Sequence, residues 1–152
     1  MPSPPSHLLL VFLLVFGTGP VLAQPVEDGA YQPASGDKWI DRQLADMNAY
    51  AARYPHSFAD EMTRYYSVPR PYVEAMLRQP AWRPGDIFMA CALAQDAAQP
   101  CRAVVREWSR DHADGWAGVA RRLPAKSGAA QYRRLREDIK RSYVRWARPL
   151  AE

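Results

Sequence analysis

MACALAQDAAQPCRAV, residues 89–104, carries both cysteines of the chain, ten positions apart, with Gln99-Pro100 immediately before the second. The stretch leading into it, DIFMACALAQ from Asp86 to Gln95, is apolar on every side between polar ends, the pattern of a helix buried all round. Asp86 follows Pro84-Gly85 and can cap the first turn. Pro100 suits the first position of a second helix, where its missing N–H costs nothing. From there Cys101, Val104, Val105, Trp108 and His112 recur at helical spacing and share one face. The two cysteines therefore fall on facing sides of a helical hairpin, and a Cys91–Cys101 disulfide is expected. By the chain-entropy argument, closing a loop of about 11 residues stabilises by roughly 3 kcal/mol. Against a total of ~5–15 kcal/mol for an ordinary domain, that is a large share. A redox-active pair is the competing reading, but catalytic dithiols sit two residues apart at an exposed helix start. Cys91 lies in the middle of an apolar helix, so a structural clamp is the expectation.

Whether the thiols pair depends on the compartment, and the N-terminus speaks to it. Residues 1–23, MPSPPSHLLLVFLLVFGTGPVLA, contain an apolar run from Leu8 to Phe16, broken by Gly17, Gly19 and Pro20. Val21-Leu22-Ala23 then places small residues ahead of Gln24, the layout of a secretory signal peptide cut after Ala23. Export to the periplasm or beyond is the expected localisation, and such compartments oxidise neighbouring thiols. The run is too short to cross a bilayer as a helix, and no other approaches the ~20 residues a span needs. No transmembrane segment is expected after residue 23.

The other segments also read as helices. Residues 24–36 form a polar leader, expected to be flexible, that closes at Pro33-Ala34-Ser35-Gly36. Asp37 can cap a helix whose Ile40, Leu44, Met47, Ala51 and Tyr54 make one apolar stripe, ended by Pro55. Ser57 with Asp60 resembles a capping box opening a short helix to about Tyr66. After the Ser67-Val68-Pro69 turn, a helix over 70–78 turns Val73, Met76 and Leu77 inward, and another covers 116–123. The last, over 129–147, keeps Tyr132, Leu135, Ile139, Tyr143 and Trp146 on its inner stripe. No clear alternating strand occurs. The expected fold is all-α, one small domain of stacked short helical hairpins over 37–148.

Charge is unevenly placed. The 152 residues carry a net +4, yet residues 24–66 hold 4 basic and 7 acidic side chains and residues 116–152 hold 10 and 3. Basic residues on the outer face of a last helix can simply solvate it. The alternative is a surface for an acidic partner or anionic lipid. Arg134, Arg141 and Arg145 are the candidate residues of such a face. Five tryptophans, Trp39, Trp82, Trp108, Trp116 and Trp146, are spread along the chain. Trp108 and Trp146 lie on inner stripes. Trp82 and Trp116 stand beside Pro or Gly at helix junctions, where they either plug gaps between hairpins or line a partner groove; both are kept as candidate partner-binding residues.

Chemistry-bearing patterns are sparse. FADEMTRYYSVPRPYVEAMLR, residues 58–78, has the rhythm of a helix-turn-helix, but its second helix carries only Arg70 and Arg78 against Glu74. Nucleic acid is not the expected partner. His112 sits between Asp111 and Asp114 without a recognised ligand spacing, and His56 stands beside Ser57 with no third group to orient it. No Gly-rich phosphate loop, HExxH or GxSxG is present. No metal, cofactor or catalytic set is expected.

The order of segments resembles an uncharacterised family of small exported bacterial proteins. The pieces are YPHSFADEMTRYYSVPRPYVEAML, WRPGDIFMACALA, QPCRAVV and GWAGVARRL, where family members read roughly "YGVPR", "GD…ACALA", "PC" and "GWG…A…LGIKPGS". The similarity covers about residues 54 to 135. The chain departs where LPAKSGAAQY replaces a Gly-Ile-Lys-Pro-Gly-Ser turn and where Ala117 follows Trp116 in place of Gly. The resemblance implies the helical fold, the exported compartment and the disulfide, and brings no activity with it. The leading functional expectation is a non-enzymatic binding or adaptor protein. The alternative is an envelope-associated factor bound to anionic lipid or wall polymer, and a hydrolase using His56 or His112 ranks third.

Overall fold

A computed structural model describes Met1, residues 31–124 and residues 128–152. The expected signal segment past Met1, its cleavage site and residues 24–30 of the leader lie outside the described residues. Within them the chain forms α1 (Lys38–Arg53), α2 (Pro55–Tyr66), α3 (Arg70–Leu77), α4 (Pro84–Asp96), α5 (Cys101–Arg110), α6 (Gly115–Arg122) and α7 (Ala129–Arg145), with no strand. The all-α expectation holds, and Cys91 and Cys101 form a disulfide between α4 and α5.

The helix that is apolar all round becomes the axis of the fold. Ile87 through Ala94 are each at most 1% exposed, and α1, α2, α3, α5 and α7 all pack on α4. The other helices bring one stripe each: Ile40, Leu44 and Met47 from α1, Phe58 and Met62 from α2, Leu135, Ile139 and Tyr143 from α7. Backbone meets backbone where α4 starts. A Cβ on Gly85 would lie 2.6 Å from the Leu44 carbonyl oxygen, so glycine alone permits this approach. The Gly85 N–H donates to Asn48 Oδ1 at 2.7 Å.

Several local expectations need correction. Asp37 does cap α1, accepting from the Trp39 and Ile40 amides at 2.9 and 3.2 Å. No Ser57–Asp60 capping box opens α2. The helix begins at Pro55, directly after Tyr54, because proline fits the first turn and needs no cap donor. Asp86 is not the residue before the helix, since α4 begins at Pro84 after Arg83; it is buried within the first turn, where its carboxylate accepts from the Arg83 backbone amide. Pro100 is the residue before α5 rather than its first, and α5 ends at Arg110, leaving His112 beyond it.

Both ends of the helical unit are tied down. The last part of the leader was expected to be flexible, yet Pro33 and Ser35 are buried. The Pro33 and Ala34 carbonyls accept from the Trp116 and Ala117 amides, both at 2.9 Å, which satisfies donors that α6 leaves open at its start. Tyr132 Oη donates to the Ser35 carbonyl at 2.8 Å. At the other end Gln43 Nε2 donates to the Ala151 carbonyl at 2.7 Å while the Ala151 amide donates back to Gln43 Oε1 at 3.0 Å. The packed unit therefore reaches from Tyr31 to Ala151, beyond the expected 37–148.

Candidate functional site

The α2–α3 and α4–α5 corners face each other across a half-open cleft of about 490 Å³. Tyr66, Val68, Pro69 and Tyr72 form the wall on the α2–α3 side. This wall exists because Ser67 takes a left-handed conformation, φ 54°, which turns the chain sharply between the two helices. The disulfide lies in the cleft, and Gln95, Gln99 and Pro100 close the opposite side. Gln95 is fixed by its Nε2 donating to the Tyr65 carbonyl at 2.6 Å. Arg102 stands at the start of α5 as the charged lining residue. Arg106 follows one turn on and faces the same way. Burial pushes the Tyr72 phenol above its ordinary range, opposed by the positive charge of Arg106 and Arg102, so both guanidiniums lie near it. A largely apolar hollow of this size with a few polar groups at one side has the character of a small-ligand site.

The sequence-derived candidates fare differently. Trp116 is fully buried and Trp82 is 8% exposed, so neither presents a ring to a partner. The gap-filling alternative is the one observed. Trp108 stacks on Trp116, ring centres 4.0 Å apart, and also touches His112 at 4.8 Å and Trp82, tilted, at 6.5 Å. Large apolar rings at the junctions of short helices bury more area there than on the surface, which is why they turn inward. The indole N–H of Trp116 donates to Asp86 Oδ1 at 2.7 Å.

The basic face is also changed by folding. Arg134 pairs with Asp96 and Arg141 with Asp138. Arg145 is half-buried rather than a free surface charge: its Nε donates to both Glu61 carboxylate oxygens at 3.0 Å, and Ser142 Oγ donates to Glu61 Oε1 at 2.7 Å. Glu61 is 3% exposed, and a buried carboxylate needs such a partner. The Arg145 guanidinium also lies over the Tyr65 ring, 3.8 Å from its centre. Arg136 is paired with Asp37 at 2.6 Å and Arg148 with Asp46 at 2.6 Å. The basic end thus spends most of its charge on carboxylates, several of them in the acidic first half of the chain.

A second, polar hollow of about 360 Å³ lies beside the Glu61–Arg145 pair, with Ser57, Asp60 and Arg64 around it. Glu61 there is held by Arg145 and Ser142. His56 is exposed, its Nδ1 3.3 Å from Arg70 Nη2. A guanidinium only donates, so this nitrogen accepts. His112 Nδ1 is 2.9 Å from the Trp108 carbonyl and thus carries a proton there. Among the described residues neither histidine is hydrogen-bonded to a hydroxyl or a carboxylate. Among the described residues no group of three or more His, Cys, Asp or Glu side chains could hold a metal ion, and no helix is long and apolar enough to cross a membrane.

The cleft residues Val68, Tyr72, Gln99 and Arg102, and Arg106 beside them, were not singled out from the sequence as a site. Only the cysteine hairpin and the Ser67-Val68-Pro69 turn gave a signal, and nothing in either showed that the two corners would meet. Comparison with protein-family models, with curated proteins and with solved structures finds no match.

Proposed function

We propose that this chain is a small exported binding protein that holds an apolar ligand in the cleft beside the Cys91–Cys101 bond. The observation that carries this is the cleft itself: about 490 Å³, half-open, and walled by Val68, Pro69, Tyr72 and the disulfide. That volume lies within the range of small-molecule sites, ~300–1,000 Å³. A disulfide suits an oxidising compartment, which is the support that the exported location has from the fold. Membership of the family that the sequence motifs resemble belongs to the same proposal. The basic C-terminal face with Trp82 or Trp116, expected as the partner surface of a binding protein, carries less weight than the cleft, because Arg134, Arg141 and Arg145 are all engaged by carboxylates and both rings are buried. The envelope-associated alternative loses the same support. Binding rather than catalysis is the reading, since among the described residues neither His56 nor His112 is hydrogen-bonded to a hydroxyl or a carboxylate.

The test is titration of the protein with N-phenyl-1-naphthylamine, a neutral apolar probe that brightens when it leaves water. Saturable binding is expected, weakened by about tenfold or more, ~1.4 kcal/mol, when Gln99→Trp fills the cleft. A probe that does not bind, or that binds Gln99→Trp as tightly as the parent, overturns the cleft as the site.

A further inference from the structure

The cleft reading leaves open which apolar ligand is meant, and the charges around the hollow narrow it. Arg102 lines the cleft, and Arg106 lies one helical turn further along α5, near Tyr72 of the opposite wall. Both are exposed. Many of the other arginines are committed: Arg70 to Asp60 and Glu74, Arg110 to Glu107, Arg122 to Asp111, and most of those in α7 as described. Arg102 and Arg106 take part in no ion pair among the described residues. The carboxylates on the neighbouring helices do not supply one, since Glu74 of α3 holds Arg70 and Glu107 of α5 holds Arg110.

Two unpaired cations on one side of an apolar hollow form a site with two unlike ends. The hollow takes a hydrocarbon out of water, which favours binding in proportion to the apolar area covered. The guanidinium fork matches a planar head with two oxygens and binds it through paired N–H donors. The Gln95 and Gln99 amides line the same hollow. Resting on the cleft reading, we propose that the ligand is a single-chain aliphatic carboxylate, its chain in the cleft and its head held by Arg102 and Arg106. The hollow of about 490 Å³ is the size of a site for one small ligand, so a single chain is chosen over a two-chain lipid.

Displacement of N-phenyl-1-naphthylamine from the full chain by decanoate, 1-decanol and decyltrimethylammonium tests this. Decanoate should displace the probe at concentrations about ten- to a hundredfold below those of the other two, the range that charge-assisted hydrogen bonds give. In Arg102→Glu/Arg106→Glu the order should collapse, with decanoate no better than decanol. Arg133→Glu, an exposed charge on α7, should keep the parent's preference and so exclude a general charge effect. Equal displacement by decanoate and decanol in the parent, or a preference that survives the double reversal, overturns the carboxylate head while the cleft stands. Decyl phosphate displacing the probe more tightly than decanoate would assign the head to phosphate and overturn the carboxylate. Failure of the neutral probe itself to bind is a different result, since it removes the cleft and this ligand together.

Discussion

Asp86 concentrates the residue-scale physics. Its Oδ1 accepts from Trp116 Nε1 at 2.7 Å and from Tyr31 Oη at 2.8 Å. Burial pushes the group above its ordinary 3.8, opposed by the hydrogen bonds from Trp116 and Tyr31. What the site requires is an acceptor at this point, more than a charge. Asp86→Asn keeps an acceptor oxygen and should leave the urea midpoint close to that of the parent. Asp86→Leu strands the Tyr31, Trp116 and Arg83 donors, of which the Trp116 indole is fully buried, and should cost about 1–3 kcal/mol for that donor. Equal losses in the two variants would show that the charge is what matters. The sequence showed only part of the role of Asp86, because a carboxylate in a first turn ordinarily serves the backbone. Here the carboxylate keeps a bond from the Arg83 backbone amide and also accepts from Tyr31 and from the α6 indole, two donors that come from distant stretches of chain.

At the scale of elements, the α4–turn–α5 hairpin shows how a helix can stop without a glycine. Ala98 sits at φ 51°, with the Gln99 amide donating to the Ala94 carbonyl at 2.8 Å and the Ala98 amide to that of Gln95 at 3.1 Å. This is the Schellman pattern, with alanine where glycine is usual. Alanine in that conformation costs about 1–2 kcal/mol. The Cys91–Cys101 bond ties the two helices just outside this turn and holds it closed. Cys91→Ala/Cys101→Ala should lower unfolding stability by about 3 kcal/mol, read from denaturant midpoints under non-reducing conditions. An unchanged midpoint would mean that the packing of α4 alone holds the hairpin. The pairing itself was legible, since cysteine spacing and helical phase sufficed. The left-handed alanine was not, because nothing local distinguishes it from one more helical residue.

Across the whole molecule, opposite charge closes the fold between its first and last helices. Asp46 of α1 meets Arg148 at 2.6 Å and accepts from Tyr143 Oη at 2.8 Å. The Arg148 hydrogen bond lowers the Asp46 carboxyl below its ordinary 3.8, against the effect of burial and with help from Tyr143. Asp37 is lowered too: burial is the largest single influence and raises it, but the bonds from Arg136 and the α1 amides together outweigh it. A carboxyl lowered in the folded state contributes stability above its unfolded value and loses it as pH falls through the folded one. Stability owed to Asp46 should therefore be present at neutral pH and drain away from about 3.8 downward. Asp86, raised by burial, works in the opposite sense over part of that range, so the difference between variants is the useful quantity. Asp46→Asn should be less stable than the parent at pH 7, with the gap narrowing below pH ~4 in acid titrations followed by circular dichroism. A gap that stays constant down to pH ~2 would show that Asp46 acts through packing or neutral hydrogen bonds.

Sequence alone determined the helical class, the burial of α4, the Asp37 cap and the cysteine partners. Each rests on local period, local chemistry or a short loop, and such signals survive without knowledge of the rest of the chain. Only the tertiary structure decided which charges are free and where a hollow remains. The α7 arginines carry nothing in their own neighbourhood that names Asp37, Asp96 or Glu61 as partners. Arg102 and Arg106 look no different from them until the fold leaves these two unmatched at the side of a cleft. The reason is that ion pairing and cavities depend on how distant helices pack, and packing is a property of surfaces brought together rather than of any one stretch of chain.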